Sequence, residues 1–354
     1  MTSRMLAEIE EQPEALRRCL AESAAEIGRA VDVLRATSPR LIVIAARGSS
    51  AFAGSYGRAL IETTLGVPVT RAAPGVETVY GRQPAWPDAV MIAISQSGQG
   101  PDLTQVVAGA TDAGMRTLAI VNDPGSPMAR AAEIVIPMRV GPEAIPATKS
   151  YLAELAVLAA IAGGWSGDEE LTRGLARAPE AVSTAIAAAK AWLDDGAGAA
   201  LCEALSQAHG GIVISRGYDL ATAKEIALKL TETSGLHTTG VSAADFLHGH
   251  VVLATPETPL LAFRPDGPAG LSVDRALEGA VRYGARQWVV GGREAAAAGT
   301  SATVGKLLLD NDLPERLSPL TFAIPGQLLA ERVARLRGRD PDHPEGLTKV
   351  IQTT

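Results

Sequence analysis

Ala89-Val90-Met91-Ile92-Ala93-Ile94-Ser95-Gln96-Ser97-Gly98 decides the fold: six apolar residues run without a break into a turn of serine, glutamine and glycine. An apolar run of that length suits a β-strand buried on both faces, the kind found in a parallel sheet covered by helices. Gly100-Pro101 punctuates the chain, and Leu103, Val106, Val107 and Ala110 then follow at the i, i+3, i+4, i+7 spacing of one buried helix face. In an open parallel sheet, ligands bind at the carboxyl edge of the strands, so the turn is placed for binding before its residue types are considered. Those types suit an anion. Ser95, Gln96 and Ser97 can donate hydrogen bonds, Gly98 lets the backbone approach closely, and the helix start offers free N–H groups and its positive dipole end. A helix cap would need only one such hydroxyl. The turn is neither G-x-G-x-x-G nor G-x-x-x-x-G-K-[ST], which points away from dinucleotides and ATP and toward a phosphomonoester held without metal.

The same grammar extends in both directions. Upstream, helical patterns cover about 3–21 and 23–37, and Leu41-Ile42-Val43-Ile44-Ala45-Ala46 is a second buried strand. Arg47-Gly48-Ser49-Ser50 then opens a helix to about Leu65, in the same manner as the serine turn. Further strands are predicted at 67–71, 117–121 and 134–137, with a helix at about 148–162, so strands alternate with helices. The alternation stops at Gly163-Gly164-Trp165-Ser166-Gly167-Asp168, and two Ala-rich helices fill about 169–209. It restarts at Gly211-Ile212-Val213-Ile214-Ser215-Arg216-Gly217, with strands predicted at 251–254, 260–263 and 287–290 and a long helix near 315–336. The second half reads as a degenerate copy of the first whose turns lack an equivalent of Ser95–Gly98. A Pro-rich stretch, 339–346, leads to Leu347-Thr348-Lys349-Val350.

Composition agrees. A chain of 354 residues fits two domains, and 47% hydrophobic with 20% charged residues is globular composition. The net charge of −7 and the lack of a dense Lys/Arg run argue against nucleic acid as a partner. No apolar signal core opens the chain and no stretch reaches roughly 18 uncharged apolar residues, so no membrane contact and a cytoplasmic location are expected. Cys19 and Cys202 form no CxxC, which leaves a disulfide framework or zinc site without support. No metal and no cofactor are expected.

Four segments together carry a resemblance: Arg47-Gly48-Ser49-Ser50, Ser95-Gln96-Ser97-Gly98, Ala147-Thr148-Lys149 and Ala227-Leu228-Lys229-Leu230-Thr231-Glu232-Thr233-Ser234. In order and approximate spacing they resemble the double sugar isomerase (SIS) domain family, in particular the isomerase half of the glutamine:fructose-6-phosphate amidotransferases. The resemblance runs from Glu8-Ile9-Glu10-Glu11-Gln12-Pro13 to Lys349. It implies an α/β fold of two tandem SIS domains, each a three-layer αβα sandwich with a mainly parallel, flavodoxin-like sheet. The implied organisation is N-terminal helices at 1–37, a phosphate-binding domain at 38–165, linking helices at 166–200, a second domain at 201–338 and a tail at 339–354 that completes the active site.

It also implies roles. The phosphate loop falls on Ser95, Gln96, Ser97 and Gly98 with Ser49 and Ser50, and Ala147, Thr148 and Lys149 form a further substrate segment. The acid–base glutamate falls on Glu232, the ring-opening histidine on His248, the lysine that meets the sugar carbonyl on Lys349, and a further active-site position on Lys229. These types suit proton transfer between C1 and C2 of an open-chain sugar phosphate, which needs a carboxylate base, a group titrating near neutrality to open the ring, and an amine at the carbonyl. A homodimer is implied, with the histidine reaching the neighbouring subunit's site. Read without the resemblance, Glu232 and Lys229 suit a surface i, i+3 ion pair, and Lys149 suits a helix surface. His248 and His250 alternate as on an extended segment, and Lys349 suits a solvated charge near a terminus.

The departures bear on the reaction. Met1 is followed almost at once by the isomerase-like segment, so no glutaminase is expected. Arg47 stands where the synthases have cysteine, Ala147 replaces a serine and Gly100 replaces a threonine of the phosphate loop. The tail Asp340-Pro341-Asp342-His343-Pro344-Glu345-Gly346-Leu347-Thr348-Lys349 is similar to that of stand-alone members that deaminate amino-sugar phosphates. The expected activity is conversion of glucosamine 6-phosphate to fructose 6-phosphate and ammonia. Alternatives are related isomerase, aminotransferase or deglycase chemistry on another phosphorylated amino sugar, and a non-catalytic sugar-phosphate sensor.

Overall fold

The computed structural model describes residues 3–310 and 312–348. Its elements, in chain order, are α1 (Arg4–Glu22), α2 (Ala24–Thr37), β1 (Leu41–Ala46), α3 (Gly48–Leu65), β2 (Val69–Arg71), α4 (Pro74–Thr78), β3 (Ala89–Ser95), α5 (Pro101–Asp112), β4 (Arg116–Val121), α6 (Pro127–Ala131), β5 (Ile134–Pro137) and α7 (Lys149–Ser166). Then come α8 (Glu169–Asp194), α9 (Gly196–Gln207), β6 (Gly210–Ser215), α10 (Leu220–Ser234), β7 (His237–Ser242), α11 (Ala243–Leu247), β8 (Leu260–Arg264), α12 (Pro268–Val281), β9 (Gln287–Gly291), β10 (Thr303–Leu308) and α13 (Ser318–Leu336). The chain divides into two compact units. One holds Glu14–Glu143 and Lys149–Ala176, and the other holds the residues up to Pro13, Ala144–Thr148 and Arg177–Leu347.

The first-sheet unit has five parallel strands in the order β2-β1-β3-β4-β5. Alternation of side chains sends the two faces of each strand to different helix layers. Val43, Ala45, Met91, Ala93, Ala119 and Val121 join Leu103, Val106, Val107 and Ala110 of α5 in one core. Ile44 and Ile94 point the other way, where Gly54 lets α3 lie close against them. This is the three-layer arrangement that an unbroken apolar strand requires.

The second-sheet unit orders its strands β10-β9-β8-β6-β7, again all parallel. Renumbered within the unit and read from β7, this is 2-1-3-4-5, identical to the first and the flavodoxin-like order. Ile212, Ile214, Ala262 and Val289 share a core with Val273, Ala276, Leu277 and Ala280 of α12. On the opposite face Phe263 stacks on Phe322 of α13 at 6.3 Å between ring centroids. The chain's first residues seal this unit: the Glu8 carboxylate accepts the Ala144 N–H (2.8 Å), and Gln12 Nε2 donates to Gln327 Oε1 (2.6 Å).

Three sequence expectations change here. Residues 251–254 are not a strand: His250–Leu253 is a 3-10 turn in which Val252 and Leu253 face solvent. The strands β7 and β10 are additions, and both are sheet edges. An edge strand is covered on fewer sides, so His237-Thr238-Thr239-Gly240 and Thr303-Val304-Gly305-Lys306 carry polar residues instead of an apolar run. No helix among the described residues is long and apolar enough to cross a membrane.

Candidate active site

In the first-sheet unit, Ser95 is the last residue of β3 and pairs with Val121 of β4, so the chain leaves the sheet at its carboxyl edge beside β1. The turn that follows is built from its own atoms. The Gly98 N–H donates to Ser95 Oγ (3.0 Å) and the Gln99 N–H to Ser97 Oγ (3.3 Å). The Gln96 carbonyl accepts the Asn122 N–H (3.2 Å) and the Gly98 carbonyl the Met128 N–H (3.1 Å). Gly98 has φ +62°, and any Cβ there would collide with the Ser126 hydroxyl. Ser126 caps α6 and so fills the space that glycine leaves. Both loop hydroxyls act as acceptors and donate to no protein group among the described residues, which keeps their protons available to an anion.

The helix behind the loop strengthens that polarity. α5 starts at Pro101 with Gly100 at its cap and no side-chain cap, leaving first-turn N–H groups open at the positive dipole end. Asp102 lies in this first turn, buried, and Arg47 Nε meets its Oδ2 at 2.5 Å. Arg47 offsets that carboxylate and stays half exposed beside the loop.

Ser49 is half buried, whereas the buried Ser50 donates to Glu154 Oε1 (2.7 Å), which sends its proton into the unit's interior. Lys149 opens α7 and is only 3% exposed, so the helix-surface reading does not hold. Its turn is held by Glu143, which accepts the Ser150 N–H (3.0 Å) and Oγ–H (2.5 Å). In the second-sheet unit, Ala147 is half buried, and the buried Thr148 accepts a bond from Gln327 Nε2 through its carbonyl (3.3 Å).

The second-sheet unit holds the ionic group. α10 lies tight against α13 because Gly326 leaves room for Ile226. It ends at Gly235 with φ +66°, and Arg337 Nε donates to the Ser234 carbonyl (2.9 Å), satisfying an end-of-helix acceptor. On this rigid helix Lys229 Nζ sits 2.5 Å from Glu232 Oε2 and 3.6 Å from Glu225 Oε1. Lys229 and Glu225 are buried while Glu232 is 22% exposed, so the surface-pair reading of Glu232 and Lys229 fails. Buried charges persist only in pairs. Lys229 makes its short contact with Glu232, the carboxylate that reaches the protein boundary, while the buried Glu225 lies farther off at 3.6 Å. Glu225 was missed in the sequence, although its place four residues before Lys229 is a readable signal.

His248 and His250 are not on an extended segment. His248 ends α11, its N–H bonded to the Asp245 carbonyl (3.0 Å), and His250 begins the 3-10 turn after Gly249, whose φ is +154°. Turn geometry wins because Ser242 caps α11, accepting the Asp245 N–H (3.1 Å). Both imidazoles are exposed, with Leu247, Val252 and Leu253 exposed around them. No group of three or more metal-ligating side chains occurs among the described residues. Lys349 lies outside the described residues.

Comparison with known proteins extends this description. The SIS domain pattern matches residues 37–163 and 204–307. The glutamine–fructose-6-phosphate aminotransferase (isomerizing) of Thermococcus kodakarensis is 32% identical, over 98% of this chain and 57% of that protein. The chain therefore spans a little over half the length of that curated relative. Among solved structures, a candidate phosphosugar isomerase from Silicibacter pomeroyi DSS-3 is 29% identical with a TM-score of 0.85, covering 96% of this chain and 100% of that one. The glucosamine-6-phosphate deaminase of Thermotoga maritima superposes with a TM-score of 0.74 over 99% of this chain and 100% of that one at 18% identity, a likeness of fold alone.

Proposed function

We propose that this chain, which belongs to the SIS domain family, is a sugar-phosphate isomerase that converts glucosamine 6-phosphate and water to fructose 6-phosphate and ammonia. The observation that carries the reading is the Glu225–Lys229–Glu232 group, in which the buried Lys229 holds the Glu232 carboxylate at the protein boundary. Such a carboxylate suits proton transfer between adjacent carbons. Glu232 takes the proton from C2 of the open-chain amino sugar and returns it at C1, leaving an imine at C2. Water adds to that imine and ammonia departs, giving the ketose.

The other residues have parts consistent with their positions. Ser95, Gln96, Ser97 and Gly98 hold the phosphate by hydroxyl, amide and backbone donors at the start of α5, with Ser49 alongside. Ser50 and Lys149 act from buried positions, supporting the loop and the substrate segment at Ala147 and Thr148. His248 opens the sugar ring and Lys349 engages the carbonyl, both by family resemblance. The exposed Leu247, Val252 and Leu253 around His248 suit burial in a homodimer in which this histidine serves the neighbouring site.

Deaminase is preferred over synthase because of the tail and the altered loop. Arg47 pairs with Asp102 at the start of α5, so the phosphate cradle differs in kind from one lined by cysteine and threonine. Purified protein should release ammonia from glucosamine 6-phosphate, and Glu232→Gln should reduce the rate by at least about 10²-fold. Unchanged turnover in that variant would remove Glu232 from the mechanism. Turnover of galactosamine 6-phosphate or a fructosyl-amino-acid phosphate instead would redirect the substrate, and thermal stabilisation by all of them with no turnover would make the chain a sensor.

A further inference from the structure

A cavity of about 580 Å³ lies in the first-sheet unit at the amino ends of β3 and β4, the edge opposite the serine loop. Its walls are mostly apolar, with Trp86, Met91, Val106, Ala110 and Met115 contributing. Size and lining are those of a small-molecule site, where a few polar groups fix orientation. Here those groups are Glu77 of α4 and Gln83, which converge over Gly109 of α5. A Cβ at 109 would strike the Glu77 carboxylate and lie 2.9 Å from Gln83 Nε2, so only glycine leaves both in place. The Glu77 carboxylate accepts no hydrogen bond among the described residues, and burial raises its pKa above the ordinary value.

The charge of the lining has one sign. Asp88 adds a second carboxylate at the rim. Arg116, the one basic residue lining the cavity, is already occupied, with Nε and Nη2 each 2.5 Å from a Glu133 oxygen. A half-desolvated carboxylate without a donor, beside an indole face and a thioether wall, is complementary to a cation on a flat apolar body.

We propose that this cavity is a binding site for a small organic cation, an ammonium or amidinium group seated on Glu77 and Gln83 with its apolar body against Trp86, Met91 and Met115. The site is separate from the serine loop yet joined to it by one element: Val106 and Ala110 line the cavity, and the first turn of the same α5 follows the loop. The inference does not rest on the reaction proposed above.

The test is calorimetric titration of the whole chain with benzamidine and phenethylamine, set against neutral benzamide and anionic benzoate. Both cations should saturate with Kd below about 1 mM, and the neutral and anionic isosteres should bind at least about tenfold more weakly. Glu77→Gln should weaken benzamidine at least about tenfold while leaving benzamide unchanged. Gly109→Ala should weaken benzamidine likewise without unfolding the protein, since alanine favours the helix by about 1 kcal/mol and what is displaced is the flexible ends of Glu77 and Gln83. Benzamidine binding no tighter than benzamide, no binding of either cation, or wild-type affinity in either variant would overturn the site.

Discussion

The two sheets share a strand order and differ in what fills the turns at their carboxyl edges. At the end of β3, the stretch Ser95–Gly100 leaves two serine hydroxyls and the first N–H groups of α5 open. After β8, the corresponding turn is filled from within the unit. Arg264, the last residue of β8, is 3% exposed and gives Nη2 to Asp274 (3.0 Å), Nη1 to Glu294 (3.1 Å) and Nη1 to the Pro265 carbonyl (2.9 Å). Glu294 also accepts the Gly267 N–H (3.0 Å), and Asp266 accepts the N–H groups of Arg293 and Glu294. Carboxylates thus hold the donors that an anion would need. One topology offers the position twice, and side chains decide whether it is left open or closed.

The first turns tell the same story in another form. Arg47-Gly48-Ser49-Ser50 after β1 corresponds to Arg216-Gly217-Tyr218-Asp219 after β6, with positive φ at both glycines (+53° and +65°). In the first turn a hydroxyl, Ser50, donates to a carboxylate on α7. In the second the partners are exchanged: the carboxylate, Asp219, is in the turn and accepts from Ser318 at the start of α13. Burial pushes Asp219 up to about 7, against the hydrogen bonds from Ser318 and Thr222.

This contrast can be broken in three places. The largest effect is expected at Lys229→Met, which removes the cation beside the buried Glu225 and the partner of Glu232: removing one member of a buried ionic group costs about 3–5 kcal/mol, read as a lower urea midpoint at unchanged m-value. A variant as stable as the parent would mean the group is not buried in solution.

Next comes Asp219. Its carboxyl binds a proton more tightly folded (about 7) than unfolded (3.8), so its contribution is fully present below the unfolded pKa and lost as pH rises through the folded one. Relative to Asp219→Asn, wild-type stability should fall between about pH 4 and 7 and then level off, by a few kcal/mol at about 1.4 per pKa unit. Parallel stability curves for the two proteins would contradict the burial of that carboxyl.

The smallest effect compares the glycines of the two turns. Gly98→Ala forces a residue into the left-handed region and against Ser126, and it should cost about 1–2 kcal/mol for the backbone alone together with the phosphate grip. Gly267→Ala also strains the backbone, at φ +78° and ψ −161°, but its Cβ meets only the end of Glu315 at 3.1 Å, and it should leave substrate KM unchanged. Equal effects of both on KM would make the two turns equivalent after all.

Much of this was legible before any coordinates. A strand buried on both faces announces itself as a local apolar run, so β1, β3, β6, β8 and β9 and the loop at Ser95–Gly98 stand in the sequence with their order and spacing. So does the doubling of the unit, through its repeated alternation, and the residue types that suit a phosphorylated sugar. What the tertiary structure alone decided depends on which groups meet across the chain. Edge strands β7 and β10 exist through the neighbour they pair with. Lys229 and Lys149 are interior cations because of what packs over them, not because of helix spacing. Ser50 turns to Glu154, more than a hundred residues away. Whether a turn is open like Gln96–Gly100 or closed like Pro265–Gly267 is set by carboxylates on other elements, and burial and pairing between distant segments leave no period in the chain.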